Sequence, residues 1–178
     1  MAIIVYIATS LDGYIAKKDG NIEWLMEVPN PENSDYGFSE FIERIDGIIM
    51  GKNTFETVVG FNQWPYSKPV FVLSNSLRSL PVGYKDRAQI VRGELRNIVA
   101  SLETKGIKNL YIDGGMTIQG FLKEDLIDEM IITRIPTILG SGIPLFIDME
   151  RELKFEVVNT EVLNQYLVKS TYTRIRDY

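Results

Sequence analysis

Three short segments of the sequence combine residue types that bind phosphate groups in proteins. Each follows an apolar run: Gly51 to Thr54 (Gly-Lys-Asn-Thr), Ser74 to Ser76 (Ser-Asn-Ser), and Gly114-Gly115 after Leu110 to Asp113. Backbone N–H groups at a helix start, together with a cation such as Lys52, attract phosphate oxygens. Glycine also lets a ligand approach the main chain where a Cβ would block it. The three segments together therefore predict an elongated groove for a dinucleotide.

Each segment alone has a simpler interpretation, because glycine-containing junctions between a strand and a helix are common connections. The sequence contains neither a P-loop nor the complete GxGxxG pattern of dinucleotide-binding folds. The prediction of a groove therefore depends on the three segments meeting at the carboxyl ends of strands in one sheet, where ligands of open α/β sheets bind.

A second group of residues is suited to holding a flat ring. Ala8 and Thr9 end the first apolar run, and a polar Asp12-Gly13 turn follows. A small side chain such as that of Ala8 permits a ring to stack at a strand end. An ordinary hairpin with an Asp-Gly turn explains the same residues equally well.

Aromatic side chains and one carboxylate occur together in a segment rich in Pro and Asn. Trp24, Asp35, Phe38 and Phe41 can hold a heterocycle by stacking on its faces and hydrogen bonding to its polar edge. The alternative is that Asp35 caps a helix N-terminus or interacts with the helix dipole. Both interpretations remain open from the sequence.

Composition excludes several classes of chemistry. The 178 residues include no Cys and no His, which excludes disulfides, thiol nucleophiles, Ser-His triads and imidazole catalysis, and no metal site is predicted. The net charge of −5 gives no support to nucleic acid as a partner. The apolar start of the chain is too short for a membrane span or a signal peptide, so we expect a cytoplasmic protein without a membrane partner.

The apolar pattern predicts one α/β domain, residues 1–178, with three layers (α/β/α) around a mixed sheet that is mostly parallel and ends in a C-terminal antiparallel hairpin. Helical spacing of apolar residues covers 38–45 and 95–102, and a third helix should follow Gly115. The hairpin pairs Lys154 to Leu163 with Gln165 to Thr173 around Asn164. The predicted strands before it are Ile3 to Ala8, Gly47 to Met50, Val70 to Leu73, Ala88 to Val91, Asn109 to Ile112 and Glu129 to Ile135.

Five motifs, in order along the chain, resemble the dihydrofolate reductase superfamily. They are SLDGYIA (Ser10 to Ala16), MGKNTFE (Met50 to Glu56), VLSNS (Val72 to Ser76), IDGGMTIQGFL (Ile112 to Leu122) and LIDEMIITRIPTILGSGIPLF (Leu126 to Phe146). Within the superfamily the sequence is most similar to the C-terminal reductase domain of the bifunctional riboflavin-biosynthesis deaminase-reductase. The resemblance implies a dihydrofolate reductase-like fold and an NADPH-dependent reductase that acts on a C=N or C=O bond of a small pteridine- or pyrimidine-like substrate.

The resemblance also implies which residues hold NADPH. It places Ala8 near the nicotinamide, the Gly51 to Thr54 turn at the pyrophosphate and 2'-phosphate, and Leu73 to Ser76 against the adenosine ribose. Gly114 to Ile118 surround the pyrophosphate and the nicotinamide ribose, and Arg92 is a further candidate for a phosphate or adenine contact. The implied set is Ala8, Gly51, Lys52, Asn53, Thr54, Leu73, Ser74, Asn75, Ser76, Arg92, Gly114, Gly115, Met116, Thr117 and Ile118.

On the substrate side the resemblance implies a buried carboxylate on the first helix, backed by a Thr on a later strand. Asp35 and Thr133 lie at compatible positions and are the predicted catalytic residues, with Glu40 as an alternative carboxylate. The riboflavin branch has Lys where this sequence has Tyr14, which puts a phosphoribosyl-pyrimidine substrate in question. The predicted substrate contacts are Ala8, Asp12, Tyr14, Trp24 and Phe38.

Without His, the proton for reduction must come through water, a phenol such as Tyr14, or a carboxyl such as Asp35, whose pKa burial would raise. An alternative function is a nucleotide- or pterin-binding protein that lacks turnover, and a third is a structural or partner-binding domain. The riboflavin branch forms dimers, so a homodimer is expected. The apolar segment Ile135 to Phe146 either contributes to that interface or belongs to the core.

Overall fold

The computed structural model describes residues 1–176 and contains one large sheet and four α-helices within that range. The strands are β1 (Ala2–Thr9), β2 (Tyr14–Ala16), β3 (Gly47–Gly51), β4 (Val70–Leu73), β5 (Ala88–Val91), β6 (Asn109–Asp113), β7 (Glu129–Arg134), β8 (Ile143–Pro144), β9 (Lys154–Leu163) and β10 (Leu167–Ile175). The helices are α1 (Phe38–Glu43), α2 (Lys52–Val59), α3 (Leu95–Thr104) and α4 (Gly115–Lys123), and a 3-10 helix spans Glu23–Glu27.

The large sheet has eight strands in the order β5-β4-β3-β6-β1-β7-β10-β9. The first six of these run parallel, while β10 is antiparallel to both β7 and β9. The mixed sheet and the C-terminal hairpin predicted from the sequence are therefore confirmed. The predicted parallel strands also agree with the observed bounds to within one residue at each end.

Helices cover both faces of the sheet, which confirms the three-layer architecture. On one face α3 and α4 bury Ile98, Leu102 and Phe121 against strand residues such as Ile112. On the other face α1 and α2 pack Phe41 and Phe55 against the opposite side of the same strands. Successive side chains of a strand point to opposite faces, so apolar runs such as those of β3 and β6 fill both layers.

Three details differ from the sequence-based predictions. The helix predicted over 38–45 ends at Glu43, although Ile45 beyond it is completely buried. The second hairpin strand begins at Leu167 rather than Gln165, because Asn164 and Gln165 adopt left-handed conformations in the turn. The two-stranded sheet of β2 and β8 was not predicted, since strands of two and three residues are too short to show a periodic pattern.

The parallel strands place their carboxyl ends at one edge of the sheet. Register pairs Met50 of β3 with Asp113 of β6, and Gly51 of β3 with Leu73 of β4. The three segments predicted to bind phosphate therefore lie side by side, as the groove required. Within residues 1–176 no helix is long and apolar enough to cross a membrane.

Candidate cofactor and active site

The N-termini of α2 and α4 meet at this edge. Gly51 precedes α2 and Gly114 precedes α4, and neither helix has a side-chain cap at its N-terminus. The two helix starts pack against each other so closely that an added side chain would collide. A Cβ atom built on Gly51 would lie 3.1 Å from Oγ1 of Thr117 on α4, and one built on Gly114 would lie 2.2 Å from Oγ1 of Thr54 on α2. Two sets of free N–H groups and two positive dipole ends therefore converge, an arrangement that attracts an anion.

The glycines have a role that the sequence did not reveal. The space beside Gly114 is taken by Thr54, and a Cβ on Gly115 would lie 2.3 Å from Cδ1 of Ile15 on β2. Close packing between protein segments therefore favours glycine at both positions, and at Gly114 the positive φ of 89° adds a second reason. The sequence predicts that the missing Cβ atoms leave space for a ligand, whereas in the structure the side chains of Thr54 and Ile15 lie there.

The first turn of α4 offers backbone rather than side-chain contacts. The side chain of Met116 is 78% exposed, whereas Thr117 and Ile118 are buried. The N–H of Ile118 already donates to the carbonyl of Gly114 at 2.9 Å. The N–H groups of Gly115, Met116 and Thr117 precede that bond and are the ones available to a ligand.

Lys52 is the cation at the start of α2. Its Nζ lies 3.6 Å from a carboxylate oxygen of Glu56, one turn further along the same helix, and its side chain is 40% exposed. An exposed pair of this kind is weak, so the ammonium can turn to another anion at little cost. Asn53 is exposed and Thr54 is half-buried against Gly114.

The Ser74 to Ser76 segment forms a tight turn beside these helix starts. Ser74 is buried, and its Oγ accepts hydrogen bonds from the N–H groups of Ser76 at 3.3 Å and Leu77 at 3.0 Å. Asn75 and Ser76 are exposed. The guanidinium of Arg92 donates to the carbonyl of Leu77, so Arg92 lies next to the turn.

Three side chains form a row across β1, β7 and β10, and two of them, Ala8 and Thr133, are predicted site residues. Ala8 pairs with Thr133, and Thr133 pairs with Lys169. Ala8 is half-buried and Thr133 is buried. The Nζ of Lys169 donates to the carbonyl of Tyr36 at 3.0 Å and lies 2.9 Å from the Glu161 carboxylate. Lys169 was not predicted, because nothing in its local sequence indicates that a lysine on an alternating strand faces inward.

The expectation that Asp35 is a buried carboxylate with a raised pKa is wrong. Asp35 is exposed, and its two oxygens accept hydrogen bonds from the N–H groups of Gly37 and Ser39, each at 2.9 Å. Hydrogen bonds from Ser39 and Gly37 hold its pKa below the ordinary value. The structure thus shows the alternative role, in which Asp35 stabilises the α1 N-terminus. Glu40 is exposed as well.

Trp24 and Phe38 are placed differently from each other. Trp24 is 3% exposed and packs with Ile135, Leu167 and Ala8, so its ring belongs to a small core cluster beneath the end of β1. Its Nε1 has no hydrogen-bond partner among residues 1–176. Phe38 is half-buried on α1. A stacking role for the Trp24 ring would need movement of that cluster, whereas Phe38 is already partly accessible.

Asp12 ties two loops together. Its carboxylate accepts hydrogen bonds from Oγ of Ser10 at 2.6 Å and from the N–H groups of Leu139 at 3.1 Å and Gly140 at 2.8 Å. These bonds, led by that of Ser10, lower the pKa of Asp12. Tyr14 is half-buried on β2, and its N–H donates to the same Ser10 hydroxyl. Substrate contact by Asp12 would therefore compete with an existing network.

A different carboxylate has the environment that was expected for Asp35. Asp113 ends β6, directly before the glycine pair, and its Oδ2 accepts a hydrogen bond from the Tyr66 hydroxyl at 2.8 Å. Burial raises the pKa of Asp113 above its ordinary value, and hydrogen bonds from Tyr66, the Gly114 N–H and Tyr111 partly offset that rise. Asp113 was visible in the motif before the glycines, but no local signal links it to Tyr66.

Residues 1–169 of the chain match the RibD C-terminal domain family. The chain belongs to that family. YwjB of Bacillus subtilis (strain 168), an uncharacterized protein, is 39% identical over 166 residues, which are 91% of this chain and 92% of YwjB. A crystal structure from Shewanella sp. PV-4, described as a candidate riboflavin biosynthesis protein, is 56% identical with a TM-score of 0.96 and covers 99% of this chain and 100% of that one.

The resemblance to the dihydrofolate reductase superfamily is confirmed at the level of the fold. Dihydrofolate reductase from Enterococcus faecalis, complexed with NADP(H), superposes with a TM-score of 0.68 over 97% of this chain and 96% of its own, at 18% identity. Family and fold together support a reductase of the RibD C-terminal type. The homodimer stays a prediction: in the segment Ile135 to Phe146, Leu145 belongs to the core while Ile138 and Phe146 are 70% and 52% exposed.

Proposed function

We propose that this protein is an NADPH-dependent reductase that transfers a hydride to a C=N or C=O bond of a small pteridine- or pyrimidine-like compound. The observation that carries the proposal is the contact between two uncapped helix N-termini at the carboxyl ends of neighbouring parallel strands. Membership of the RibD C-terminal domain family and the dihydrofolate reductase-like fold support a reductase.

The donors at this edge fit the phosphates of NADPH. The first N–H groups of α2 and α4 would bind the pyrophosphate, and Lys52 would neutralise part of the charge of the pyrophosphate and of the neighbouring 2'-phosphate. The exposed hydroxyl of Ser76 and the nearby Arg92 would contact the adenosine ribose and its 2'-phosphate. When bound, NADPH supplies the hydride. The role of this edge of the sheet is to bind, to orient and to exclude water.

The proton for the reduction has a better source than Asp35. We assign proton donation to Asp113, because a carboxyl with a raised pKa stays protonated up to pH values nearer to neutral than an ordinary aspartate does. Ala8 lies on β1, the strand next to β6, about two residues or roughly 7 Å further along the strand direction than Asp113. Thr133 and Lys169 continue the row of Ala8 and would hold polar atoms of the substrate. Neighbouring strands thus carry the proton donor and the proposed ring contact.

Saturable binding of NADPH is the first expected result. Titration of the purified protein with NADPH at low salt, followed by isothermal calorimetry or intrinsic fluorescence, should give one site per chain. The convergence of two helix N-termini and a lysine accounts for it. Absence of saturable binding would remove the basis of the proposed function.

Replacement of Lys52 by Ala is expected to weaken NADPH binding about tenfold, the effect of losing one charge-assisted contact. NADH, which lacks the 2'-phosphate, should lose less, about threefold or under. Both affinities are measured by the same titration. Lys105→Ala is the matched control, since Lys105 is an exposed lysine just past the end of α3. Equal losses for NADPH and NADH would show that Lys52 does not contact the 2'-phosphate.

A second candidate function is a nucleotide- or pterin-binding protein without turnover. The exposure of Asp35 favours it, since the buried catalytic carboxylate implied by the resemblance is not found at that position. The two functions differ in one measurement. The binding protein would bind NADPH, yet no member of a panel of dihydropteridines and aminopyrimidines would cause its oxidation.

A further inference from the structure

Tyr66 reaches the candidate proton donor from a distant part of the chain. It lies in the segment between α2 and β4, and its hydroxyl extends to the end of β6, two strands away from β4 in the sheet. The donor and the acceptor of this hydrogen bond, Tyr66 and Asp113, are separated by 47 positions in the sequence. Residues this far apart in the sequence can form a hydrogen bond because the segment after α2 passes over β3, which lies between β4 and β6 in the sheet.

Other aromatic rings fix the direction of the Tyr66 side chain. The ring of Trp64 packs edge-on against Tyr66, with centroids 5.5 Å apart and an interplanar angle of 85°. Trp64 in turn contacts the rings of Phe55 on α2, at 6.2 Å, and Tyr84, at 5.2 Å. Edge-to-face packing restricts ring rotation. The phenol is therefore oriented before any ligand arrives.

The groups around the Asp113 carboxyl are all uncharged donors. Within residues 1–176 they are the hydroxyls of Tyr66 and Tyr111 and the N–H of Gly114. Tyr111, on the same strand, has one hydroxyl proton and shares it between Asp113 and the carbonyl of Tyr6, 3.1 Å away, whereas the Tyr66 hydroxyl donates to Asp113 at 2.8 Å. Burial raises the pKa of both Tyr66 and Tyr111, so both phenols keep their protons at neutral pH and act as donors.

We infer that Tyr66 is a positioning residue, whose hydroxyl holds the Asp113 carboxyl at the edge of the cofactor groove and favours its ionised form. A donor that binds a carboxylate stabilises the charged state more than the neutral acid. Burial acts in the opposite direction. Tyr66 thereby sets the pH range in which Asp113 can hold and release a proton. The catalytic consequence rests on the proposed function, but the effect on titration does not.

Titration of Asp113 by NMR tests the inference without any substrate. Carbon-13 labelling of aspartate follows the side-chain carboxyl directly, and Asp113→Asn identifies its signal. Tyr66→Phe removes the hydroxyl and keeps the ring, so the titration midpoint of Asp113 should rise by roughly one pH unit. Tyr84→Phe is the matched control, because Tyr84 belongs to the same aromatic cluster but donates to the carbonyl of Val59. In Tyr84→Phe the titration midpoint of Asp113 should equal that of the wild type.

A second variant moves the midpoint the other way. Site-specific replacement of Tyr66 by a fluorinated tyrosine keeps the hydroxyl and makes it a stronger donor, so the midpoint of Asp113 should fall. Opposite shifts in the two variants support the inference, and the fluorinated variant decides alone if Tyr66→Phe does not fold. An unchanged midpoint in the folded variants, or an equal shift in Tyr84→Phe, overturns it.

NADPH titration of the same samples separates the two proposals. A wild-type protein that binds no NADPH contradicts the proposed function, while the Asp113 midpoints still decide the role of Tyr66. If NADPH is oxidised, the pH profile of kcat in Tyr66→Phe should shift upward together with the NMR midpoint. If the pH profile of kcat stays unchanged in Tyr66→Phe while the NMR midpoint of Asp113 moves, the role of Tyr66 in positioning a proton donor is overturned.

Discussion

Asp113→Asn is expected to lower kcat for NADPH oxidation by about 100-fold or more, the usual contribution of a positioned general acid. Asn has the shape of the carboxyl and can accept the Tyr66 hydrogen bond, but it cannot supply a proton. The affinity for NADPH should stay within about threefold of the wild type, because the phosphate contacts come from backbone N–H groups. Steady-state kinetics with the dihydropteridine and aminopyrimidine panel measure kcat, and calorimetry measures the affinity.

The pH dependence has a definite sign. The protonated carboxyl is the donor, so wild-type kcat should fall as pH rises through the pKa of Asp113, which burial places above the ordinary aspartate value. The residual kcat of Asp113→Asn should not show this decrease with rising pH. The matched control is Asp35→Asn, which alters an exposed carboxylate and should leave kcat within about threefold. A large loss in Asp35→Asn with full activity in Asp113→Asn would reverse the assignment.

Gly114→Ala is expected to reduce the free energy of unfolding by about 3 kcal/mol. A non-glycine residue in a sparsely populated backbone region costs on the order of 1–3 kcal/mol, and overpacking adds a similar amount. Gly114 has φ 89°, and its new Cβ would lie 2.2 Å from Oγ1 of Thr54. Urea denaturation measures the change. The strain should also separate the two helix starts and weaken NADPH binding.

Gly106→Ala is the control that measures the conformational cost of a positive φ without any steric contact. Gly106 has a closely similar φ of 90°, but a Cβ there would meet nothing within 4 Å. Its destabilisation should be about 1 kcal/mol, the conformational cost alone. The double variant Thr54→Ala/Gly114→Ala removes the clashing hydroxyl and should recover part of the loss. Equal destabilisation of Gly106→Ala and Gly114→Ala would show that contact with Thr54 is not the cause.

The strands and the phosphate-binding segments could be predicted from local sequence. Parallel strands buried on both faces are nearly continuous apolar runs, and the central residues of β3 (Ile-Ile-Met) and β6 (Leu-Tyr-Ile) have that character. Glycine after such a run, followed by a helical pattern, indicates a helix N-terminus at the strand end. Because parallel strands share one carboxyl edge, the positions of Gly51 and Gly114 followed without knowledge of the tertiary structure.

The charge state of the carboxylates could not be predicted in the same way. Asp35 and Asp113 are the same residue type, each near aromatic residues, and only the tertiary structure exposes one and surrounds the other with phenols. A pKa depends on burial and on donors brought from other elements. Those donors are distant in sequence, so local spacing carries no information about them.

The sequence by itself determined the fold class, the strands of the large sheet, and the residues at the ends of its parallel strands, because these depend on local periodicity and turn chemistry. Only the tertiary structure decided which carboxylate has a raised pKa, that Lys169 joins the row of Ala8 and Thr133, and that Thr54 fills the space beside Gly114. Each of these depends on contacts between segments that are far apart along the chain, which local sequence patterns do not encode.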